Sequence, residues 1–309
     1  MSSTVEGHIM RVFVTGASGH VGSALVPELL SAGHEVVGLA RSDASAAVLA
    51  ERGARVRRGD LDDLDGLRAA AAEADGVVHL AFKHDLMASG EFAGAVEADL
   101  VALKALGEAL AGTGKPLVST SGTLMFAGLG RTATEDDRLP GGSRVDAENY
   151  VLGLAENGVR SSVVRLPPSV HSSLDKHGFV PTMIRFARAA GVSPYVGDGA
   201  NRWSAGHTLD AARLYRLALE KAPGGTVLHA VGDEAVSLRQ IAETIGARLG
   251  VPVKSIAPEE AAAHFAFLAP MVQADAPTSA ARTRELLDWK PEHPGLLEDL
   301  AEEHYFATA

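Results

Sequence analysis

The chain has 309 residues, a net charge of −11 at neutral pH and no cysteine. Without cysteine, disulfides, thiolate nucleophiles and sulfur-ligated metals are excluded. The acidic balance argues against nucleic acid as a partner, and no apolar run approaches the roughly 20 residues of a membrane helix. The first nine residues have no apolar signal-peptide core and are interpreted as a tail before Met10. We therefore expect a cytoplasmic protein that does not bind membranes.

The first predicted strand, 11–15, runs directly into three glycines spaced G-x-x-G-x-x-G. Glycine serves where a chain turns sharply off a strand, where backbone approaches a phosphate, and where the next helix packs closely on the sheet. A helix N-terminus adds N–H groups that favour an anion. The segment predicts a dinucleotide pyrophosphate cradle formed by Gly16, Ser18, Gly19, His20, Val21 and Gly22.

Strand-like and helix-like segments alternate through the first half of the chain, with Gly or Asp breaks between them. The predicted strands are 11–15, 35–40, 55–59, 76–81, 116–121 and 160–165, and the predicted helices are 20–32, 44–52, 64–74, 91–111 and 144–157. Such alternation builds a parallel sheet covered on both faces. The fold class is therefore α/β, a Rossmann-type doubly wound parallel sheet with a smaller C-terminal substrate lobe.

The pattern is looser after Pro168, where a helix at 209–221, a strand at 226–231 and a helix at 238–249 are predicted. The dinucleotide-binding domain is expected at 10–168, with 208–232 returning to it, and the substrate-binding lobe at 169–207 and 233–309. The large apolar residues of the lobe predict either an apolar substrate pocket or core: Phe179, Met183, Phe186, Trp203, Phe265, Phe267 and Met271.

The loop after the second strand favours NADP(H) over NAD(H). At this corner of a dinucleotide fold an acidic residue selects the 2′-hydroxyl of NAD, whereas an arginine accommodates the 2′-phosphate of NADP. The chain has Arg41 and Ser42 there, although Arg41 can also be a solvated residue beside a helix cap. Asp60 and Leu61 follow the third strand and are candidates to contact the adenine. Asp60 can equally be the N-cap of the next helix or a turn residue.

After the fourth strand, Leu80, Ala81, Phe82 and Lys83 are candidate contacts of the nicotinamide ribose. His79 lies on the apolar strand itself and is interpreted as a core residue. No H-E-x-x-H or comparable ligand spacing occurs in the chain, so no metal site is predicted.

Six segments share their pattern with one family: 15–22, 59–61, 79–81, 119–121, 163–171 and 202–210. Together they resemble the extended short-chain dehydrogenase/reductases, the NAD-dependent epimerase/dehydratase group. The resemblance implies an oxidoreductase with a nicotinamide cofactor, and Pro167 is expected beside that cofactor. The family often dimerises through helices equivalent to 91–111 and 144–157, so a homodimer is an expectation here.

The family's chemistry uses a Ser or Thr after the fifth strand and a Tyr followed four residues later by a Lys. The lysine binds the nicotinamide ribose and lowers the tyrosine pKa, so that the phenol can pass a proton. No tyrosine of this chain has a lysine at that spacing. Aligning 143–148 with the family's S-K-x-x-A-E places Arg144 at the lysine and Pro140 at the tyrosine. The resemblance is thus to an atypical member, in which Arg144 can hold ribose hydroxyls but cannot relay protons.

The Ser/Thr position is kept by Ser121 and Thr123, which can hydrogen-bond a substrate carbonyl or cap a strand end. A different proton donor is needed, and His171 is one candidate because it replaces the tyrosine of the family's R-P-x-x-V-Y-G turn. It is expected to face the cleft near the nicotinamide, although a histidine in a turn can also be structural. The other candidates are water, Lys83, His84 and Tyr150.

The leading hypothesis is NADPH-linked reduction of a carbonyl, or oxidation of the alcohol, in a small organic substrate. One alternative is a catalytically degenerate NADP-binding redox or metabolite sensor. Another is a sugar-nucleotide epimerase or dehydratase that recycles its cofactor.

Overall fold

A computed structural model describes residues 9–88 and 90–307, apart from the side chains of Met87 and Ala88. The predicted N-terminal tail lies outside the described residues except for Ile9. The strands of the described chain are β1 Arg11–Thr15, β2 Glu35–Ala40, β3 Arg55–Arg58, β4 Gly76–His79, β5 Pro116–Gly122, β6 Arg160–Leu166, β7 Ser169–His171, β8 Ser193–Val196, β9 Arg202–His207, β10 Thr226–His229, β11 Asp233–Ser237 and β12 Val253–Ile256.

The helices between them include the five predicted in the first half of the chain, each within a few residues of its expected ends. The helices of the described chain are α1 His20–Ser31, α2 Asp43–Glu51, α3 Leu64–Glu73, α4 His84–Ala88, α5 Phe92–Leu110, α6 Arg144–Gly153, α7 Phe179–Ala190, α8 Thr208–Lys221, α9 Leu238–Leu249, α10 Ala261–Phe265, α11 Ala269–Val272, α12 Ala281–Leu287 and α13 Leu296–Leu300. No helix in the described part of the chain is long and apolar enough to cross a membrane.

Seven strands form one parallel sheet in the order β10-β6-β5-β4-β1-β2-β3. β1 lies between β2 and β4, and it pairs in parallel with both. The strand order therefore reverses direction at β1, which is the topological switch point where open α/β sheets bind ligands. This arrangement confirms the predicted α/β fold with a doubly wound parallel sheet. It brings the loops that follow β1 and β4 together.

The chain divides into two compact units. Among the described residues, the first comprises those within 9–120, 139–163 and 215–226, and the second those within 121–138, 164–214 and 227–307. The predicted boundary differs, because the segment after β5 belongs to the second unit and only part of 208–232 belongs to the first. In the first unit, apolar side chains of the sheet and of α3 and α5 form the core, among them Phe13, Leu67, Val77, Leu106 and Leu117.

The second unit has its own core around Trp203, which is fully buried. Its small sheets have the orders β11-β9-β7 and β12-β8. None of these five strands was predicted, because the regular alternation of strand-like and helix-like segments stops after Pro168. Helix α7 was also missed, since Pro181 suggested a break; it lies in the first turn, where proline is tolerated. The large apolar residues of this region mostly join the core, but Phe267 is 58% exposed.

Candidate cofactor site

The glycine turn after β1 leaves space that a side chain would fill. Gly16 has φ +67°, and a Cβ there would lie 2.7 Å from the backbone nitrogen of Ala81. A Cβ on Gly22 would lie 2.2 Å from the carbonyl oxygen of Gly16. Helix α1 follows Gly19, and no side chain caps its first turn. The turn thus fits a pyrophosphate. The other predicted contacts lie in the same turn and are partly buried: Ser18, His20 and Val21.

Hydroxyl and guanidinium groups lie together at the ends of β2 and β3. Ser42 is the N-cap of α2, and the exposed guanidinium of Arg41 donates to Asp85 at 3.1 Å. Arg58 donates to the carbonyl oxygen of Ser42 at 2.6 Å. Our sequence reasoning missed Arg58. No local sequence signal marked it, because only the register of the folded sheet pairs this last residue of β3 with Ala40 at the end of β2.

Asp60 is a turn residue and not the N-cap of α3. Its Oδ1 accepts the backbone N–H groups of Asp62 at 2.9 Å and Asp63 at 3.2 Å. The N-cap is Asp63, whose Oδ1 accepts the N–H of Gly66 at 3.0 Å. The prediction of Asp60 as the N-cap was therefore wrong, because α3 begins at Leu64, as predicted, and the residue directly before it caps the helix. Leu61 is 7% exposed and packs into the first core, so its contact with an adenine stays a prediction.

The loop after β4 is tied to the glycine turn. The backbone N–H of Leu80 donates to the carbonyl oxygen of Thr15, and that of Ala81 to the Thr15 hydroxyl, each at 3.2 Å. The ammonium of Lys83 binds both carboxylate oxygens of Asp62, at 2.7 and 2.6 Å. Lys83 is thus engaged by an ion pair, and its role as a cofactor contact or proton donor stays a prediction.

Phe82 brings two of the predicted site residues together. The guanidinium carbon of Arg144 lies 4.4 Å from the centroid of the Phe82 ring, and its Nη2 donates to the carbonyl oxygen of Thr120 at 3.2 Å. The rings of His84 and Phe82 are packed edge to face, with centroids 5.4 Å apart. Nδ1 of His84 donates to the Phe82 carbonyl oxygen at 3.1 Å. Partial desolvation lowers the pKa of His84, and the Arg144 cation acts in the same direction.

Helix α6 begins at Arg144, after three residues with positive φ. These are Gly141 at 155°, Gly142 at 95° and Ser143 at 52°. The family pattern would place positions 140 and 144 one helical turn apart, but Pro140 lies before the helix. Because Ser143 holds a backbone conformation that is costly for a non-glycine residue, the start of α6 is a strained segment.

Three further hydroxyl groups are buried or engaged. Ser121, on β5, is 4% exposed, and Thr123 is fully buried with its hydroxyl 3.4 Å from that of Ser204. Tyr150, on α6, donates to the carbonyl oxygen of Lys104 at 3.4 Å, and burial raises its pKa. Their parts in catalysis stay predictions.

His171 does not have the exposure expected of a residue at the edge of a cleft. Its side chain is fully buried, with Nδ1 2.8 Å from Asp299, because β7 and α13 enclose it in the second unit. His171 also lines a cavity of about 90 Å³ in the same unit, so its position beside a nicotinamide and its role as proton donor stay predictions. Pro167 directly follows β6 and is also buried.

One group among the described residues could supply three metal-ligand atoms: His207, Asp210 and His293. Asp210 already accepts the His293 ring N–H at 2.9 Å and two backbone N–H groups. Nδ1 of His207 accepts the N–H of Leu209 at 3.2 Å. The rings of His207 and His293 stack nearly parallel at 4.6 Å, so their lone pairs do not converge on one point. The contacts therefore favour a cluster of hydrogen-bonded side chains over a metal site. The cluster lies beside the same cavity of about 90 Å³.

Comparison with known proteins relates the chain to one family of nicotinamide-dependent enzymes. The profile of the NAD dependent epimerase/dehydratase family matches residues 12–230. An uncharacterised protein of Schizosaccharomyces pombe is 46% identical over 299 residues, which are 96% of this chain and 100% of that protein. The 2-alkyl-3-oxoalkanoate reductase of Stenotrophomonas maltophilia is 30% identical over 258 residues, 79% of this chain and 77% of its own.

Among solved structures, a double mutant of the dTDP-glucose 4,6-dehydratase of Streptomyces venezuelae with NAD bound aligns with a TM-score of 0.76. The alignment covers 96% of this chain and 97% of that one at 20% identity. At this identity the similarity shows the shared fold alone.

Proposed function

The chain belongs to the NAD dependent epimerase/dehydratase family, and from this membership we propose that it reduces a carbonyl group of a small organic molecule with NADPH. Family membership makes it an NAD-dependent oxidoreductase of the epimerase/dehydratase type. The Stenotrophomonas maltophilia relative is named for reduction of a 3-oxo group. That name supports a ketone as the class of substrate, and oxidation of the alcohol would use the same site.

The position of Arg144 carries the proposal. Its guanidinium stacks on Phe82 and donates to Thr120, so it lies beside the ends of β4 and β5. The glycine turn and the loop after β4 belong to the same unit. A guanidinium offers several donors in one plane, which suits the two hydroxyls of the nicotinamide ribose. We infer that Arg144 binds this ribose in the place of the family's lysine.

The preference for NADPH rests on the corner formed by Arg41, Ser42 and Arg58. Two guanidinium groups lie at this corner, one on Arg41 and one bound to the backbone of Ser42, and a phosphate monoester prefers such donors. The corner also holds the carboxylate of Asp43, but Arg58 binds it at 2.7 Å, so it is not free to select the 2′-hydroxyl of NAD.

A bound reduced nicotinamide supplies a hydride to the carbonyl carbon, and the carbonyl oxygen then needs a proton. We propose His84 as the donor. Its Nδ1–H is fixed on the Phe82 carbonyl, which leaves Nε2 for proton transfer. Lys83 and His171 are each held by a carboxylate, and His171 is fully buried. These contacts favour His84 over both.

The test is the loss of nicotinamide absorbance when the purified full-length protein is mixed with NADPH, or with NADH, and a panel of ketones and aldehydes that includes 3-oxoalkanoates. We expect turnover with NADPH that is faster than with NADH. Tight NADPH binding without turnover of any panel member would contradict the reductase and favour the sensor. Nucleotide retained through purification, together with interconversion of a sugar nucleotide, would favour the epimerase or dehydratase.

A further inference from the structure

A buried chain of polar contacts runs from the glycine turn to Arg144. The hydroxyl of Thr15 lies 2.9 Å from Nδ1 of His79, and Nε2 of His79 lies 3.1 Å from Oδ1 of Asp99. The other carboxylate oxygen of Asp99 lies 4.0 Å from the guanidinium of Arg144. Thr15, His79 and Asp99 are each no more than 2% exposed. The function proposed above gives Asp99 no role.

The hydrogen bonds of His79 fix its ring. The ionised carboxylate of Asp99 can only accept, so Nε2 of His79 donates to it. In the neutral ring, Nδ1 then accepts the hydroxyl proton of Thr15, whose oxygen also accepts the N–H of Ala81. Both ring nitrogens are therefore used, and His79 serves to hold Asp99 in place.

The charge of Asp99 requires compensation. A buried carboxylate without a partner costs several kcal/mol, since it has lost its hydration. Asp99 lies on α5 with its side chain 3% exposed, and Arg144 supplies a positive charge at 4.0 Å. The guanidinium is thus restrained from three directions, by the Phe82 ring, the Thr120 carbonyl and the Asp99 carboxylate.

We propose that Asp99 is a positioning residue, whose buried carboxylate orients the guanidinium of Arg144 toward the nicotinamide ribose. Without that charge the long arginine side chain is free to leave Phe82 for solvent. The inference rests on the proposed function, because it assumes that Arg144 contacts the cofactor. It applies to the nicotinamide half of the cofactor and leaves the adenosine half unaffected.

The experiment compares two ligands in the full-length protein. Asp99→Asn keeps an oxygen for the His79 N–H but removes the charge. NADPH affinity is expected to fall about 5- to 20-fold, as for the loss of one partly buried charge partner. ADP has no nicotinamide riboside, and its affinity is expected to stay unchanged. A purely structural role would weaken both ligands or neither, and either result would overturn the proposal.

A double-mutant cycle tests whether Asp99 acts through Arg144. Arg144→Met removes the guanidinium, and the variant with both substitutions is expected to bind NADPH no more weakly than Arg144→Met alone. If the fold-losses of NADPH affinity in the two single variants multiply in the double variant, Asp99 acts independently of Arg144, and the inference is contradicted. Asp99→Ser, a smaller uncharged residue, is measured in parallel and replaces Asp99→Asn in the cycle if that variant does not fold.

Two matched controls come from the second unit. Asp210 is also a buried carboxylate on a histidine ring, and Arg239 is also an arginine over an aromatic ring, that of Tyr195 at 5.5 Å. Asp210→Asn and Arg239→Met are expected to lower the melting temperature at most, without changing NADPH affinity. If the unaltered protein binds neither NADPH nor NADH, the proposed function fails. If the unaltered protein binds NADPH and reduces a member of the carbonyl panel, but Asp99→Asn binds NADPH equally tightly, only the role of Asp99 fails.

Discussion

Both units contain buried carboxylate–histidine pairs, and the pairs differ in what lies beside them. In the first unit, His79 and Asp99 lead to Arg144, which stacks on Phe82 in the loop after β4. In the second unit, His171 and Asp299 lie beside His207 and His293, each of which uses Nδ1 in a hydrogen bond. The first pair supports the residue that we propose to bind the cofactor, whereas the second belongs to a cluster whose groups mainly bind one another and the backbone.

The histidine cluster has the larger number of titratable groups, but Asp210 already accepts three N–H donors. The glycine turn has one such group, His20, and its backbone leaves space that fits a pyrophosphate. On the proposed function, a concentration of titratable groups is therefore a poor guide to a binding site. Variants that close the space, remove a hydrogen-bond donor or remove a charge in either region test this difference.

The largest effect is expected from Gly16→Val. The new Cβ would lie 2.7 Å from the nitrogen of Ala81 in a backbone conformation that valine rarely adopts. NADPH affinity should fall on the order of 100-fold or more, because the backbone must move out of the pyrophosphate position. Isothermal titration calorimetry measures it, with circular dichroism to verify folding.

Gly33→Val is the matched control, since Gly33 also has a positive φ, +89°, but no atom within 4 Å of a new Cβ. It should cost about 1 kcal/mol or more of stability through backbone strain and leave NADPH affinity unchanged. Equal loss of affinity in both variants would remove the glycine turn from the cofactor site.

A smaller effect is expected from His84→Gln. If His84 donates the proton, kcat for reduction should fall on the order of 100-fold. Because the pKa of His84 is lowered from its usual 6.5, the protonated form is lost, and the rate should fall, as pH rises through a value below 6.5. The variant should lack this step in the pH profile of kcat. His264→Gln, on α10, is the control, and an unchanged profile in His84→Gln would exclude His84 as donor.

Arg41→Asp should shift the cofactor preference. The carboxylate repels a 2′-phosphate and accepts from a 2′-hydroxyl, so the ratio of NADPH to NADH affinity should fall roughly 10-fold or more. The lost pair with Asp85 is exposed and contributes little to stability. Arg55→Asp makes the same charge change at the other end of β3 and should leave the ratio unchanged. A constant ratio in Arg41→Asp would refute the role of Arg41.

The first unit was largely predictable from the sequence because its elements follow strong local patterns. Strand β1 and the glycine turn are consecutive in the chain, and helix α1 begins within a few residues of them. The second unit has short strands paired over long separations, such as Trp203 of β9 with Val236 of β11. No regular alternation of strands and helices marks these segments, and pairing over long separations leaves no local signal, so none of these strands was predicted.

Long-range contacts also limited the prediction of the site. The sequence places Arg144 at the lysine position, but its stacking on Phe82 and its approach to Asp99 join three distant segments. Burial of His171 likewise follows from α13, which is more than a hundred residues away in the chain. Sequence spacing reports the residue types at a site, whereas their exposure and partners depend on packing.

The last prediction concerns stability and not binding, at His207 in the second unit. Burial lowers the pKa of His207 from 6.5 to about 4, and His171 and His293 act in the same direction. Between these values the folded protein binds fewer protons than the unfolded chain, so the contribution of His207 to stability is lost as pH falls. Integrated over the window, this amounts to roughly 3 kcal/mol.

His207→Asn isolates this contribution, because its amide oxygen can still accept the Leu209 N–H. Burial raises the pKa of Asp175 to about 6, which acts on stability in the opposite sense, but it does so in both proteins. The free energy of unfolding of wild type relative to the variant, from urea titrations, should therefore be smaller at about pH 4.5 than at about pH 7. A difference that is independent of pH would contradict a buried neutral His207. His207→Asn should leave NADPH affinity near neutral pH unchanged, since the proposed cofactor contacts lie in the first unit. A loss of NADPH affinity in this variant would contradict the assignment of cofactor binding to the first unit alone.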